Sequence, residues 1–252
     1  MRLMKFVATV AAAMGLVVTS MATSAYAAGE TVLVVGGGKS GLPLVKILKE
    51  QGYKVRLSVR DKSKAGDVEP GTEIVEADVT KADTLPAALK GVTYVISTIG
   101  AGGVEPPNNA ESVDYKGVAA LADASKKAGV KHFVLMSSIN AGDDNPETFL
   151  NKRFGMVLMW KARGEEHLRK SGVPYTVVRP GGLQNCDPGK IGLKMGPAES
   201  KYMGRICRSD VGLVMTDALT NKDAAGKTVE VIAEEGAPLT AWKSAWAGIK
   251  TP

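Results

Sequence analysis

What most constrains this chain is a change of period that recurs along it. Short β-branched runs stop at glycine or a polar turn, and stretches with helical spacing follow. The first run, Thr31–Val35 (TVLVV), ends on Gly36-Gly37-Gly38, after which Leu44, Val45 and Leu48 recur at helical spacing until Gly52. An unbroken apolar run suits a strand buried on both faces, where both alternating sets of side chains meet helices. Pro43 is tolerated because the first turn of a helix has no use for its missing N–H. Further strands are expected at 53–59, 73–75, 92–97, 130–136, 173–178 and 227–232. Helices are expected behind a Thr80/Asp83 capping box as far as Gly91, over 113–128 and 151–171, and over 210–219 behind Ser209 as N-cap. A short amphipathic helix is expected in the tail, 239–249.

Strands separated by helices of this length need crossover connections, hence a parallel sheet with helices on both faces. The expectation is an α/β fold: a Rossmann-type doubly wound parallel sheet with a small irregular C-terminal substrate lobe. Residues 28–252 read as one domain, with a substrate-side segment from about 181 and irregular chain over 181–208, where glycines and prolines interrupt every pattern. Ahead of it, Arg2 and Lys5 precede an apolar run over 6–18 and then Ala25-Tyr26-Ala27. That order is a basic region, an apolar core and an A-x-A cleavage signal, so 1–27 reads as a signal peptide. It implies an exported protein, periplasmic or secreted, with no membrane span after cleavage.

Two cysteines and two histidines are too few for a four-thiolate or three-histidine metal centre, so no metal site is expected. The formal charge of +6 is spread along the chain with acids interleaved, which argues against nucleic acid. Cys186 and Cys207 lie in the irregular segment and either pair, worth roughly 3 kcal/mol for a loop of about 20 residues, or stay as separate thiols. His167 reads as a surface residue, and His132 as a strand-start residue that caps or faces solvent.

The glycine run carries the chemistry. Gly36, Gly38 and Gly41 fit G-x-G-x-x-G between an apolar strand and a helix, the context that gives the motif meaning. The first glycine permits a tight turn, the second lets a diphosphate approach the backbone, and the third lets helix pack on strand. Lys39 and Ser40 lead into the helix N-terminus, with its free N–H groups and positive potential. At the end of the second strand stands Arg60, followed by Asp61. A guanidinium there fits the 2′-phosphate of NADP, assisted by Lys62 or Lys64, so NADP is favoured over NAD.

The chain resembles the atypical short-chain dehydrogenase/reductase superfamily, of the NAD(P)-binding, NmrA-like kind. The blocks that carry the resemblance are VLVVGGGKSGLPLV, YKVRLSVRDKSKA, EADVTKADTL, VTYVISTIGA, VKHFVLMSSINAG, KARGEEHLRKSGVPYTVVRPGGL and ICRSDV. The loop is one residue shorter than the family's usual GxxGxxG. The resemblance implies that Asp78 and Val79 flank the adenine and that Thr98, Ile99 and Gly100 line the ribose and nicotinamide path. It implies that Arg179 and Pro180, with Gly181, close the nicotinamide side, and that Ser138 and Lys161 are the catalytic serine and lysine, the lysine also holding the ribose. The superfamily's tyrosine stands four residues before that lysine, on the same helix face. Here the position is Val157, and no tyrosine in the chain has lysine four residues on. Three functions stay open: an exported NADP-dependent oxidoreductase or isomerase acting on a small molecule, a non-catalytic dinucleotide-binding sensor or assembly factor, and a scaffold reused for another small ligand. A monomer or weak dimer is expected.

Overall fold

A computed structural model of the protein describes residues 29–251; the expected leader over 1–27 lies outside the described residues. The sheet grows outward from β1 (Thr31–Val35), which pairs in parallel with β2 (Lys54–Val59) on one side and β4 (Tyr94–Ser97) on the other. With β3 (Glu73–Glu76), β5 (His132–Met136), β6 (Tyr175–Pro180), β8 (Gly192–Pro197) and β10 (Thr228–Glu234) the order is β3-β2-β1-β4-β5-β6-β10-β8. All pairs are parallel except β8 on β10. The fold is thus a mostly parallel sheet with flanking helices, as the period changes indicated.

Alternate residues of β1 serve the two faces. Val32 and Val34 pack with Leu44 and Leu48 of α1 (Gly41–Glu50) and with Val211, Val214 and Met215, which lie on α6 (Arg208–Ala218). Leu33 and Val35 pack with Leu85 and Leu89 of α2 (Leu85–Leu89) and with Val118 and Leu121 of α3 (Val118–Lys127). Each such fully buried side chain contributes ~1.5–3 kcal/mol. The β10 end of the first face is closed by Trp242 and Trp246 of α7 (Trp242–Gly248).

Several local expectations are corrected. The helix expected over 151–171 is two helices, α4 (Phe149–Phe154) and α5 (Val157–Lys170), separated by Gly155 and Met156, both left-handed. Buried Asn151 accepts the Leu158 N–H at 2.9 Å and donates to the carbonyls of Asp143 and Asn145, so one amide anchors the new helix start to the preceding loop. Residues Glu111–Gly117, ahead of α3, wind as a π-helix. Thr80 does not cap a helix; its N–H and hydroxyl both donate to Asp78. Cys207, not Ser209, stands at the N-cap of α6. His132 is buried, its Nε2 2.9 Å from the Thr176 hydroxyl, and burial pushes its pKa down to about 4.

The segment expected to be irregular is ordered. It contains β7 (Gly182–Gln184), β8 and β9 (Arg205–Cys207), with β7 and β9 forming a small parallel pair. Two of its glycines serve close approach rather than turns: a Cβ at Gly192 would collide with the Ala237 carbonyl, and one at Gly196 with the Tyr202 hydroxyl. Cys186 and Cys207 form a disulfide that ties the loop after β7 to the start of α6.

Candidate functional site

Because β1 is flanked by β2 on one side and β4 on the other, the loops at their carboxyl ends diverge and leave a crevice, the place where open α/β sheets take ligands. The cleft there measures about 580 Å³. Its floor is the turn from β1 into α1, built from three different glycine requirements. Gly36 has φ +110 and lies so close to Thr98 that a Cβ would be 2.9 Å from its hydroxyl. A Cβ at Gly37 would sit 2.7 Å from Val59, and one at Gly41 would run into the carbonyl of Gly36. Gly38 differs: a Cβ there would meet nothing within 4 Å and would stand in the mouth of the turn.

Among the described residues, none of the amides of Gly37, Gly38, Lys39 and Ser40 donates a hydrogen bond to protein. Four N–H groups at the start of α1 therefore remain for a ligand with several acceptor oxygens, the arrangement that suits a diphosphate. The donor set and the opening at Gly38 fit the diphosphate of a dinucleotide.

Ser58, Arg60, Asp61, Asp78, Val79 and Thr80 form one wall, and Thr98, Ile99, Gly100 and Asn108 the other. Asp61 is turned onto its own backbone, accepting the Ser63 N–H at 3.0 Å and the Ser63 hydroxyl at 2.6 Å. Those bonds, with Lys64 behind them, hold its carboxyl below the usual aspartate range. Asp78 carries the Thr80 turn, and the Asp78 amide in turn donates to Thr84 at 3.0 Å.

Lys161 does not line the cleft; it stands behind the wall. Its ammonium donates at 2.6 Å to Oδ1 of Asp114, a side chain 1% exposed, and Oδ2 of the same carboxylate accepts the Ala101 N–H at 2.9 Å. A Cβ at Gly100 would be 3.8 Å from that Oδ1, so the ion pair lies directly behind the Gly100 wall. Close crossing of α5 over the π-helix makes the pair possible: a Cβ at Gly164 would collide with the Asp114 carbonyl. Val157 is buried in a small apolar cluster with Ala110 and Leu158, so nothing hydroxylic takes the tyrosine's place on α5. Ser138 follows β5, partly exposed, while its neighbour Ser137 points inward and donates to Glu165 at 2.5 Å.

Arg179 and Pro180 are not brought to this cleft. Arg179 grips the fully buried Glu165 through two bonds, Nε at 2.9 Å and Nη2 at 2.7 Å. Burial pulls against its charge, but Glu165 outweighs it and leaves the guanidinium above its ordinary value. It opens instead onto a second cavity of about 540 Å³, with Arg169, Glu230 and Lys201, which shares no residue with the first.

A family model described as NAD(P)H-binding matches residues 36–222. The chain belongs to the NAD(P)H-binding family. It is 35% identical over 233 residues to an uncharacterized chloroplastic protein of Arabidopsis thaliana, covering 87% of this chain and 82% of that one. Sanguinarine reductase of Eschscholzia californica is 31% identical over 245 residues, 80% of this chain and 88% of the reductase. TIC 62 of Pisum sativum, also chloroplastic, is 35% identical over 235 residues; the match takes 83% of this chain but spans only 44% of TIC 62. A Bacillus halodurans structure described as a candidate NAD-dependent epimerase/dehydratase superposes with a TM-score of 0.73 at 26% identity, over 86% of this chain and 100% of that chain. The resemblance to atypical short-chain dehydrogenases/reductases is thereby established.

Membership also corrects one expectation. The two relatives from Arabidopsis and pea carry chloroplastic in their names, as does a second Arabidopsis protein, a setting at odds with the expected periplasmic one. The exported, periplasmic or secreted assignment is withdrawn. Among the described residues no helix is long and apolar enough to cross a membrane. Sequence reading missed two members of the site, Asp114 and Asn108. Asn108 lies outside every expected element and Asp114 at the start of the helix expected over 113–128, and only the fold brings them to Arg60 and Lys161.

Proposed function

We propose that this family member is an NADP(H)-dependent oxidoreductase acting on a small molecule, built as one domain over 28–252 with its substrate side formed from about 181 onward. The observation that carries the reading is the Lys161–Asp114 pair set behind the Gly100 wall of the dinucleotide cleft. Gly38, Lys39 and Ser40 offer amides to the diphosphate, with Gly36 and Gly41 keeping the turn tight enough to present them. Arg60 faces the 2′-phosphate, Asp78 and Val79 flank the adenine, and Thr98 and Gly100 border the ribose and nicotinamide path. Arg179 and Pro180 drop out of this set.

A bound nicotinamide supplies the hydride. Reduction of a carbonyl or imine leaves a negative centre that has to be protonated or stabilised. Lys161 rests on Asp114 behind the Gly100 wall and has to leave that pair to bond the ribose hydroxyls and deliver the proton that a tyrosine would otherwise supply; Ser138 orients the substrate. Similarity to a protein named as a reductase over four-fifths of both chains supports this reading. Val157 supports a second, in which the protein binds the dinucleotide without turnover and the bound state is the signal.

The two readings part in one experiment. Both expect NADPH at one hundred times its Kd to raise stability by about 2.7 kcal/mol in a thermal melt. Only the first expects oxidation of NADPH by a panel of quinone, azo and iminium acceptors, abolished in Lys161→Ala with nucleotide binding weakened but retained. Binding without oxidation by any acceptor carries the second reading; no melt shift with any nicotinamide nucleotide sinks both.

A further inference from the structure

Arg60 does not hang free at the rim. Its Nη1 donates across the cleft to Oδ1 of Asn108, a residue 48 positions away, and among the described residues no other group takes an Arg60 N–H. Asn108 is itself held by its own loop: its N–H donates to the Glu105 carbonyl at 3.0 Å and its carbonyl accepts the Gly103 N–H at 3.1 Å. The next residue, Asn109, accepts the Ser112 N–H at 3.0 Å and so fixes the loop to the π-helix that also carries Asp114. The amide oxygen that steers Arg60 is therefore set by the backbone on the far side of the cleft.

We propose that Asn108 is the specificity-determining positioning residue for a 2′-phosphorylated dinucleotide, holding one edge of the Arg60 guanidinium so that its other N–H groups face the phosphate. Three observations converge. A single neutral bond on Nη1 occupies one donor of five and leaves a two-pronged edge free, the geometry that matches a phosphate. Because that bond already restrains a long side chain, less rotamer freedom is lost when the phosphate arrives. Asp61, the acid placed to accept an unphosphorylated 2′-hydroxyl, is turned onto the Ser63 amide and hydroxyl, with Lys64 3.3 Å from its other oxygen. The site thus favours the phosphate both by what it presents and by what it turns away. Asn108 also joins the two walls, so selection at the adenosine end rests on a loop that no glycine motif marks.

This inference rests on the NADP(H) reading, and the test separates the two. Equilibrium binding of NADPH and NADH is measured by titration calorimetry for the wild type, Arg60→Ala, Asn108→Ala and Asn108→Asp, with melts to confirm folding. The wild type is expected to bind NADPH at least ten-fold tighter than NADH, and Arg60→Ala to bring the ratio near one. Asn108→Ala is expected to weaken NADPH about five-fold while NADH stays within two-fold. Asn108→Asp, which pairs with Arg60 and repels a phosphate, is expected to weaken NADPH more than ten-fold and to leave NADH within two-fold. Equal losses for both nucleotides in Asn108→Ala, or an unchanged ratio in both Asn108 variants, overturns the role of Asn108 while leaving Arg60 in place. No NADPH preference in the wild type overturns the NADP(H) reading itself.

Discussion

The two ends of the sheet are built on opposite principles. Around β1, β2 and β4 the chain is short of side chains: Gly36, Gly37 and Gly41 are each required because a neighbour occupies the space of a Cβ, and the result is a cradle of bare amides. Around β6, β10 and β8 the chain is rich in charge, with Glu165 gripped by Arg179 and Arg169, and Glu230 accepting the Tyr202 N–H. Burial pushes the Glu230 carboxyl above the ordinary range. One end obtains its function from what is missing; the other is held by buried ion pairs that are costly to disturb. Changes at the first end should therefore act on ligand binding, and changes at the second on stability.

The largest effect that would break this contrast is at Gly41. Gly41→Val places a branched side chain through the Gly36 carbonyl and is expected to abolish NADPH binding in calorimetry, more than a hundred-fold; a variant that binds within ten-fold of wild type would show that the turn is not the cradle. Next is Glu165→Ala, which strands Arg179 in the interior. Removing one partner of a buried pair costs about 3–5 kcal/mol, expected as a lower urea midpoint, while the folded fraction keeps its NADPH affinity. Loss of binding in folded Glu165→Ala would erase the distinction between the ends.

Smaller effects sharpen it. Reducing the Cys186–Cys207 disulfide is expected to cost about 3 kcal/mol in the melt without changing NADPH affinity, since the bond anchors the loop after β7 rather than the cleft. His132 supplies a pH signature in the middle of the sheet. Burial lowers its folded pKa to about 4 from an unfolded value of 6.5. Stability tied to the neutral imidazole is complete above the unfolded value and is lost as pH falls from there toward the folded one, where the unfolded chain binds the proton first. The loss across that window is expected to be ~2–3 kcal/mol, and His132→Gln should flatten it. An unchanged pH–stability curve in that variant would place the titration elsewhere.

Legibility in the sequence followed the same divide. TVLVVGGGKSG marks strand, turn and helix within a dozen consecutive residues, so β1, the glycine turn and α1 were readable from local pattern. The charged end was not. Gly192 and Gly196 read as breakers because the carbonyl and hydroxyl they admit come from Ala237 and Tyr202, which no local pattern joins to them. The resemblance assigns Arg179 to the cofactor, but its partner is Glu165 on α5, a residue that no local pattern joins to it. The split of the long helix at Gly155 and Met156 was hidden for a related reason: Asn151, on the first helix, accepts the Leu158 N–H at the start of the second, seven residues on. Asp114 and Asn108 belong to the same class, polar residues whose partners are distant in sequence, Asn108 meeting Arg60 across the cleft and Asp114 meeting Lys161 behind its wall.

The most direct test of the central claim is an amide NMR titration of the protein with NADPH. The Gly38, Lys39 and Ser40 amides are expected to shift most and together, while Arg169, Lys201 and Glu230 around the second cavity stay in place. Shifts centred on the second cavity, with the glycine turn silent, would contradict it.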